Sequence, residues 1–203
     1  MLQAQKTFLH VGCGPKFKDR TTKGFASAKW NELRFDIDPS VSPDLLGTMT
    51  DMSAVEDQSV DAVFSSHNIE HLYPHDVPIA LTEFLRVLVP DGFTVITCPD
   101  LQSVAGLVAE DKLTDPAYNS PAGPIAPIDI LYGHRVAMAS GNLFMAHRCG
   151  FTKKVLIGTL QAAGFKQVVS RRRDAPFFDL WALGSKSIRS EDELRGLASE
   201  HFP

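Results

Sequence analysis

The sequence predicts an α/β fold in which a mostly parallel, open sheet lies between two layers of helices. Three observations support this prediction. Short apolar runs, typical of buried parallel strands, alternate with helical patterns along the chain. Glycines directly follow the first apolar run, as at the ligand-binding edge of such sheets. Two late apolar runs are joined by only a short turn, which predicts an antiparallel hairpin at the end of the sheet.

The first half of the chain contains three predicted strands, which are residues 7–11 (TFLHV), 30–37 (WNELRFDI) and 59–65 (SVDAVFS). Residues 16–29, between the first two strands, are polar and have no sustained helical period. We expect a long loop there, with at most a turn or two of helix.

Helical and strand patterns alternate again in the second half. Residues 77–88 carry apolar side chains at the i, i+4, i+7, i+8 spacing of a helix lying on a sheet, and Pro90 and Gly92 follow it. The remaining predicted elements are a strand at 93–98, a helix at 153–163 that ends at Gly164, and hairpin strands at 166–172 and 178–183.

The predicted elements define one domain over residues 1–184. Residues 101–150 interrupt it with about fifty residues rich in proline and glycine, then in histidine, arginine and methionine. A connection of that length in a compact domain is usually functional, so we expect an insertion that serves as a lid or binding wall. Residues 185–203 are polar and are expected to form a tail, either a loose helix or disordered.

Composition narrows the class of protein. The 203 residues are 44% hydrophobic and 22% charged, with a formal net charge of -4, and only residues 171–173 form a basic cluster. This pattern argues against nucleic acid or a membrane surface as the main partner. No apolar run approaches the roughly 20 residues needed to span a bilayer. The N-terminus lacks signal-peptide features, and three widely spaced cysteines without a CxxC favour reduced thiols and a cytoplasmic location.

Chemically informative residues follow the predicted strands. Gly12 and Gly14 permit a tight turn and a close approach of the backbone to a ligand. Asp36 ends the second strand, where a carboxylate can accept both hydroxyls of a ribose. Asp36 lies 22 residues after Gly14, and this spacing alone would suit NAD and a nicotinamide-linked oxidoreductase. However, Phe17 stands where the dinucleotide fingerprint needs its third glycine, so a nucleoside ligand without phosphates fits better.

At these positions the chain resembles the class I S-adenosylmethionine-dependent methyltransferases, and most closely the methyltransferase type 11 branch with a UbiE-like core. The resemblance spans about residues 7–184 and implies a Rossmann-like, three-layer α/β/α domain. Its motifs are LHVGCGP (9–15), FDIDP (35–39), TDM (50–52), SVDAVFSSHNIEHL (59–72), EFLRVLVPDGFTVITCPD (83–100) and LQAAGF (160–165).

The resemblance implies a set of S-adenosylmethionine contacts. Backbone atoms of Gly12, Cys13 and Gly14 would line the methionine part. Asp36 would hold the ribose, in preference to Asp38, and Ile37 would pack on the adenine.

Four further cofactor contacts are implied by the resemblance. Asp51 would accept from the adenine amino group, and Met52 would donate its backbone N–H to the ring. Ser66 and His67 would close the sulfonium side.

Two departures from the family pattern stand out. His10 occupies the start of the first motif, where the family usually has an acidic residue, and Pro15-Lys16 continue the glycine loop in place of a third glycine. These departures support an alternative function from another class, a non-catalytic cofactor-binding or interaction module with the methyltransferase fold.

His67, Glu70 and His71 spell H-x-x-E-H, the pattern of inverted zinc peptidases. That chemistry needs both histidines on one face of a continuous helix. Here a strand precedes His67 and Pro74 interrupts any helix within a turn. We therefore predict no metal site, and expect Glu70 and His71 to form a short helical turn that supports the loop under the cofactor.

His134 and His147 lie in the insertion, which should face the methyl group. Methyl transfer is an in-line displacement that needs positioning and exclusion of water, and a histidine base helps when the acceptor is a hydroxyl or amine. These two histidines are the candidate catalytic residues. Arg135 and Arg148 are expected either to clamp an acidic acceptor group or to anchor loops. The sequence thus predicts transfer to a small or medium-sized acceptor, without specifying its identity or the oligomeric state.

Overall fold

The protein is described here from a computed structural model that covers residues 5–120 and 123–203. A seven-stranded sheet within these residues has the order β3-β2-β1-β4-β5-β9-β8, and β6 and β7 form a separate antiparallel hairpin. The strands are β1 (Lys6–Val11), β2 (Trp30–Asp36), β3 (Leu45–Leu46), β4 (Val60–Ser66), β5 (Leu88–Pro99), β6 (Tyr118–Ser120), β7 (Gly123–Ile125), β8 (Gln167–Arg173) and β9 (Asp179–Ser185). Strand β9 runs antiparallel to both of its neighbours, and the other pairs in the large sheet are parallel.

The helices of the described residues are α1 (Val77–Val87), α2 (Leu101–Ala109), α3 (Pro127–Tyr132), α4 (Arg135–Ala139), α5 (Lys153–Ala163) and α6 (Glu191–His201). Short 3₁₀ turns lie at Lys18–Arg20, Pro39–Val41, Ile69–His71 and Leu143–Met145. None of the helices in these residues is long and apolar enough to cross a bilayer.

Helices α1 and α5 cover one face of the sheet because both carry an apolar stripe. Leu81 and Phe84 of α1 and Leu160 of α5 are fully buried against strand residues such as Leu9 and Ile96. Burying each large apolar side chain contributes about 1.5–3 kcal/mol relative to leaving it exposed. This layer of helices therefore stabilises the sheet, and the sheet holds the strand ends in position.

An aromatic cluster and α6 cover the opposite face. Phe8 and Phe25 stack with ring centroids 4.3 Å apart, and Trp30 packs edge-on to Phe25 at 5.0 Å. Leu194 and Phe202 bring the end of the chain onto this cluster. The molecule thus has three layers, α/β/α, and the predicted fold class is confirmed.

The segment 101–150 differs from the predicted loop because it contains α2, α3 and α4. Local caps explain these helices in a proline- and glycine-rich sequence. Asp100 precedes α2 and accepts hydrogen bonds from Gln102 N at 3.2 Å and from the Ser103 hydroxyl at 2.6 Å. Pro127 begins α3, and Asp129 accepts from Ala126 N at 3.0 Å. Carboxylates that accept backbone N–H groups stabilise helix starts that composition alone does not reveal.

The C-terminal residues also differ from the expected loose tail. Helix α6 begins with a reciprocal capping box, in which Ser190 N donates to Glu193 Oε2 at 2.8 Å and Glu193 N donates to Ser190 Oγ at 3.3 Å. Its apolar side packs on the aromatic cluster. Residues 191–201 are consequently part of the domain core.

Candidate active site

The carboxyl ends of β1, β2 and β4 open into a first cavity of about 320 Å³. Five of the predicted cofactor residues lie on its wall, and they are Gly12, Gly14, Asp36, Ile37 and His67. The cavity lies where ligands bind in open α/β sheets, because parallel strands end at one common edge.

The glycine loop requires glycine at Gly12. This residue has a φ of +65°, and a Cβ built there would lie 2.2 Å from Nδ2 of Asn68. Gly14 also has a positive φ, +52°, but a Cβ there would meet no protein atom within 4 Å. The turn therefore depends on both positions for backbone conformation, and on Gly12 for space as well.

Asp36 joins the two loops that border the first cavity. Its carboxylate accepts from Gly14 N at 2.8 Å and from Asp38 N at 2.9 Å. A carboxylate has about four lone-pair sites, so capacity remains for ligand hydroxyls. Ile37, beside it, is 44% exposed and gives the wall an apolar surface on which a flat ring can pack.

Arg34 holds the glycine loop in place, a role that the sequence analysis missed. Its guanidinium is buried and donates to the carbonyl oxygens of Gly14 at 2.6 Å, Ser42 at 2.7 Å and Val41 at 3.1 Å. It also lies over the Phe17 ring at 4.4 Å. The residue thus anchors a loop that has no long helix behind it. The sequence contained one indication of this role, since Arg34 is a charged residue within an apolar strand pattern.

His10, the first departure from the family pattern, lies below the loop. Its Nδ1 is 2.7 Å from Oε1 of Glu32, and Oε2 of Glu32 accepts from Lys18 N at 2.9 Å. Burial lowers the pKa of His10, although the Glu32 carboxylate opposes this effect. The pair ties β1, β2 and the following loop together and supplies no group to the cavity wall.

On the opposite wall of the first cavity, the lining residues differ from the predicted cofactor contacts. Gly47, Thr48 and Met49 line the cavity there. Met52 is fully buried, and its backbone N–H donates to Oε2 of Glu83 at 2.8 Å, so it is not free for an adenine ring.

Three other predicted cofactor residues are not among those that line the cavity. Cys13 is buried and Asp51 is exposed. The Ser66 hydroxyl hydrogen-bonds the Thr97 hydroxyl at 2.8 Å. The cavity wall therefore carries only part of the set that the resemblance implies.

A second cavity, of about 380 Å³, adjoins the first and shares His67, His71 and Met145 with it. Its wall combines the end of β5 with the insertion, including Tyr118 of β6 and Ile130 of α3. Segment 101–150 therefore forms part of the wall of a cavity that adjoins the first one.

The predicted catalytic histidines both line the second cavity, whereas the two arginines do not. Arg135 is paired with Asp129 through Nε and Oδ1 at 2.6 Å, which is the anchoring alternative. Arg148 lines the first cavity and donates to the His71 carbonyl at 3.0 Å. His134 directly precedes α4, and His147 follows the last 3₁₀ turn of the insertion.

Glu70 and three histidines meet where the two cavities join. The carboxylate of Glu70 is 1% exposed, and Nδ1 of His67 lies 3.4 Å from its Oε1. Burial alone would raise the pKa of Glu70, but His67, His71 and His147 together lower it. The Glu70 carboxylate raises the pKa of His67, whose side chain is 49% exposed.

The turn that carries Glu70 is the short helical turn expected from the sequence. Residues Ile69–His71 form a single 3₁₀ turn, so the continuous helix of a zinc peptidase is not formed there. Backbone N–H groups of Arg148 and Cys149 donate to the Glu70 carbonyl at 2.8 and 3.2 Å. These bonds hold the end of the insertion against the turn. The sequence did not predict this contact, because the two segments are far apart along the chain.

Comparison with known proteins agrees with this geometry. A family model described as "Methyltransferase domain" matches residues 9–96. No curated protein matches the chain.

Several solved structures have a similar fold. A methyltransferase from Burkholderia thailandensis, 1,6-didemethyltoxoflavin-N1-methyltransferase with bound 1,6-didemethyltoxoflavin and S-adenosylhomocysteine, is 16% identical with a TM-score of 0.57 over 91% of this chain and 72% of the other. A Thermotoga maritima protein described as a possible histamine N-methyltransferase is 15% identical with a TM-score of 0.57, over 92% and 84%. A Methanosarcina mazei S-adenosylmethionine-dependent methyltransferase is 15% identical with a TM-score of 0.59, over 93% and 95%.

The resemblance to class I S-adenosylmethionine-dependent methyltransferases is thereby confirmed. The methyltransferase-domain model matches the sequence over residues 9–96, and the fold is shared over about nine tenths of the chain. At these low identities the solved structures bear on the fold alone.

Proposed function

We propose that the protein transfers a methyl group from S-adenosylmethionine to a small or medium-sized acceptor. The observation that carries the proposal is the pair of adjoining cavities, one at the glycine-loop edge of the sheet and one under the insertion, which share His67, His71 and Met145. A bimolecular displacement needs two binding sites that meet at the reacting atoms.

The first cavity suits the nucleoside cofactor. Gly12 and Gly14 leave the loop without side chains, Asp36 retains capacity for ribose hydroxyls, and Ile37 offers an apolar face for adenine. Bound there, S-adenosylmethionine supplies an electrophilic methyl group on a sulfonium. The role of the chain is to hold the cofactor, to orient the acceptor and to exclude water.

The second cavity suits an acceptor with polar groups on an apolar body. Ile125, Ile130 and Phe178 provide apolar wall, while the Tyr118 hydroxyl and His134 can hydrogen-bond the acceptor. Burial raises the pKa of Tyr118, so its hydroxyl keeps its proton and can donate near neutral pH. We propose that His134 and His147 orient the acceptor, or accept its proton when it is a hydroxyl or amine.

Asp36 provides the first test. We expect S-adenosylhomocysteine to bind the wild-type protein in a calorimetric titration, and Asp36→Asn to weaken binding about 10–100-fold, as loss of hydrogen bonds to a charged group implies. The matched control is Asp38→Asn, two residues away, because Asp38 lies on the same wall but its carboxylate accepts from Ser40 N at 2.8 Å. Equal affinities of the two variants would contradict the assigned role of Asp36.

Activity is tested by incubating the protein with S-adenosylmethionine and a panel of small hydroxyl, amine and heterocyclic compounds, with S-adenosylhomocysteine formation as the readout. Transfer to any of them supports the enzyme. Cofactor binding with no transfer across the panel would favour the non-catalytic module, whose support is the pair of departures at His10 and Pro15-Lys16.

A further inference from the structure

The Glu70 carboxylate is buried without hydrogen bonds. It is 1% exposed, and neither oxygen accepts a hydrogen bond from the described part of the chain. Buried charged groups are almost always paired and hydrogen-bonded, because the cost of removing them from water is otherwise several kcal/mol. His67 is near, at 3.4 Å, but leaves both oxygens without a hydrogen bond.

Two imidazoles beside this carboxylate are held in the same tautomer. Nδ1 of His71 is 3.1 Å from the carbonyl oxygen of Ala146, and Nδ1 of His147 is 2.7 Å from that of Ile130. A carbonyl only accepts, so each Nδ1 carries the hydrogen, and in the neutral ring Nε2 then keeps its lone pair. Metal-binding histidines are usually oriented in this way, by donating the other ring N–H to a backbone carbonyl.

We propose that Glu70, His71 and His147 bind a divalent transition-metal ion, for which Zn²⁺ is the best match. One ligand atom from each of the three residues lies within 4.8 Å of the others. Ligands at about 2.0–2.2 Å around a tetrahedral ion lie about 3.3–3.6 Å apart, so small side-chain rotations complete the site. Two imidazoles and a carboxylate suit Zn²⁺ and its neighbours in the first transition row better than Mg²⁺ or Ca²⁺.

A bound ion would satisfy groups that the protein leaves without partners. It would pair with the orphaned carboxylate and with Nε2 of two rings that hydrogen-bond backbone carbonyls through Nδ1. An ion pair between Glu70 and His67 would leave both of those nitrogen atoms unused. In a zinc peptidase, both histidines of the H-x-x-E-H pattern would bind the metal. Here Glu70 and His71 of that pattern are ligands, and His147 from the insertion takes the place of His67.

The ion would face the second cavity, since all three residues line it. A site with three protein ligands keeps a position open for water or substrate. If the proposed methyl transfer is correct, an oxygen or nitrogen atom of the acceptor can occupy that position. With the ion bound, His147 has no free nitrogen, so His134 alone would accept a proton from the acceptor. Metal binding itself does not depend on S-adenosylmethionine, so the two proposals can fail separately.

Calorimetric titration of chelator-treated, full-length protein with ZnCl₂ tests the site, and a repeat with CoCl₂ reports the coordination from its visible absorption. We expect one ion per chain, and His147→Ala to weaken binding by at least about tenfold, as removal of even an outer-shell partner does. The controls are His134→Ala, a histidine in the same cavity outside the cluster, and His75→Ala, an exposed histidine in neither cavity. Both should bind as the wild type does.

Two results would overturn the proposal. One is the absence of zinc binding by the wild-type protein, and the other is equal affinity of His147→Ala and the wild type. Glu70→Gln should also lose binding, and circular dichroism establishes whether that buried variant is folded. If it is not, His71→Ala takes its place, because His71 is only partly buried. Zinc should raise the melting temperature of the wild type and leave that of His147→Ala unchanged.

Discussion

At the scale of single residues, the backbone conformation just after β1 determines the shape of the first cavity. Gly12 and Gly14 both lie in the left-handed region, but only Gly12 has a neighbour, Asn68, where a side chain would be. Asn68 in turn contacts Met49 Sδ at 3.3 Å on the opposite wall. A change at Gly12 would therefore propagate across the cavity.

Alanine substitutions separate the cost of the left-handed backbone conformation from the cost of displacing Asn68. Both Gly12→Ala and Gly14→Ala should lose about 1–2 kcal/mol of unfolding free energy, because alanine is strained in the left-handed region. Gly12→Ala should lose more, since Asn68 must also move. Urea unfolding without ligand measures the difference, and equal losses would show that Asn68 adjusts at no cost.

The residues of the site were predictable where they belong to contiguous motifs. Gly12, Asp36 and His67 lie on the cavity wall, as expected from positions just after strands. Met52 does not, because the two-residue strand β3 and the turn after it bring Gly47–Met49 to the wall instead, and no periodicity marks so short a strand. The role of Arg34 depends on where carbonyl groups lie in three dimensions, which a linear pattern does not encode.

At the scale of elements, helix α6 agrees with the helical alternative expected for residues 185–203, but its packing on the aromatic cluster was not expected. Its last residue, His201, is 1% exposed and lies against Phe25, with ring centroids 4.2 Å apart, and against Phe93 at 5.2 Å. Nδ1 is 2.8 Å from the Thr22 hydroxyl. Burial among aromatic rings disfavours the charged imidazole and lowers its pKa to about 4.

This burial predicts a loss of stability in acid. The pKa of His201 is lower in the folded state, about 4, than the ordinary value of 6.5, so the unfolded chain binds the proton first. The contribution is complete above pH 6.5 and is lost as the pH falls from 6.5 to about 4, amounting to about 3 kcal/mol. Unfolding free energies across this range should fall more steeply for the wild type than for His201→Gln. Parallel curves would contradict the assignment.

Strong periodicity made most elements predictable. Helix α5 has the predicted bounds, and β1, β2 and β4 agree to within a residue at each end, because apolar runs and flanking glycines or prolines mark them. Helices α2, α3 and α4 were missed, since they are short and bury few side chains. Helices α2 and α3 have carboxylate caps, and they pack through Val104 and Ile130 in one small apolar cluster, which a helical period does not report.

At the scale of the whole molecule, the two cavities connect the sheet to the insertion, so ligand binding should stabilise the fold as a unit. S-adenosylhomocysteine at one hundred times its dissociation constant contributes about 2.7 kcal/mol of unfolding free energy. For a domain of this size that raises the melting temperature by roughly 5–10 °C. Thermal melts with and without ligand measure the shift. A shift with NAD and none with S-adenosylhomocysteine would revive the nicotinamide-linked oxidoreductase.

The closure of the aromatic cluster by α6 has a consequence for synthesis of the chain on the ribosome. Phe8, Phe25 and Trp30 are synthesised well before Leu194 and Phe202, which cover them. Throughout elongation the emerging polypeptide therefore presents an uncovered aromatic surface, the kind that chaperones recognise. Completion of this half of the core must wait until residue 202 has left the exit tunnel.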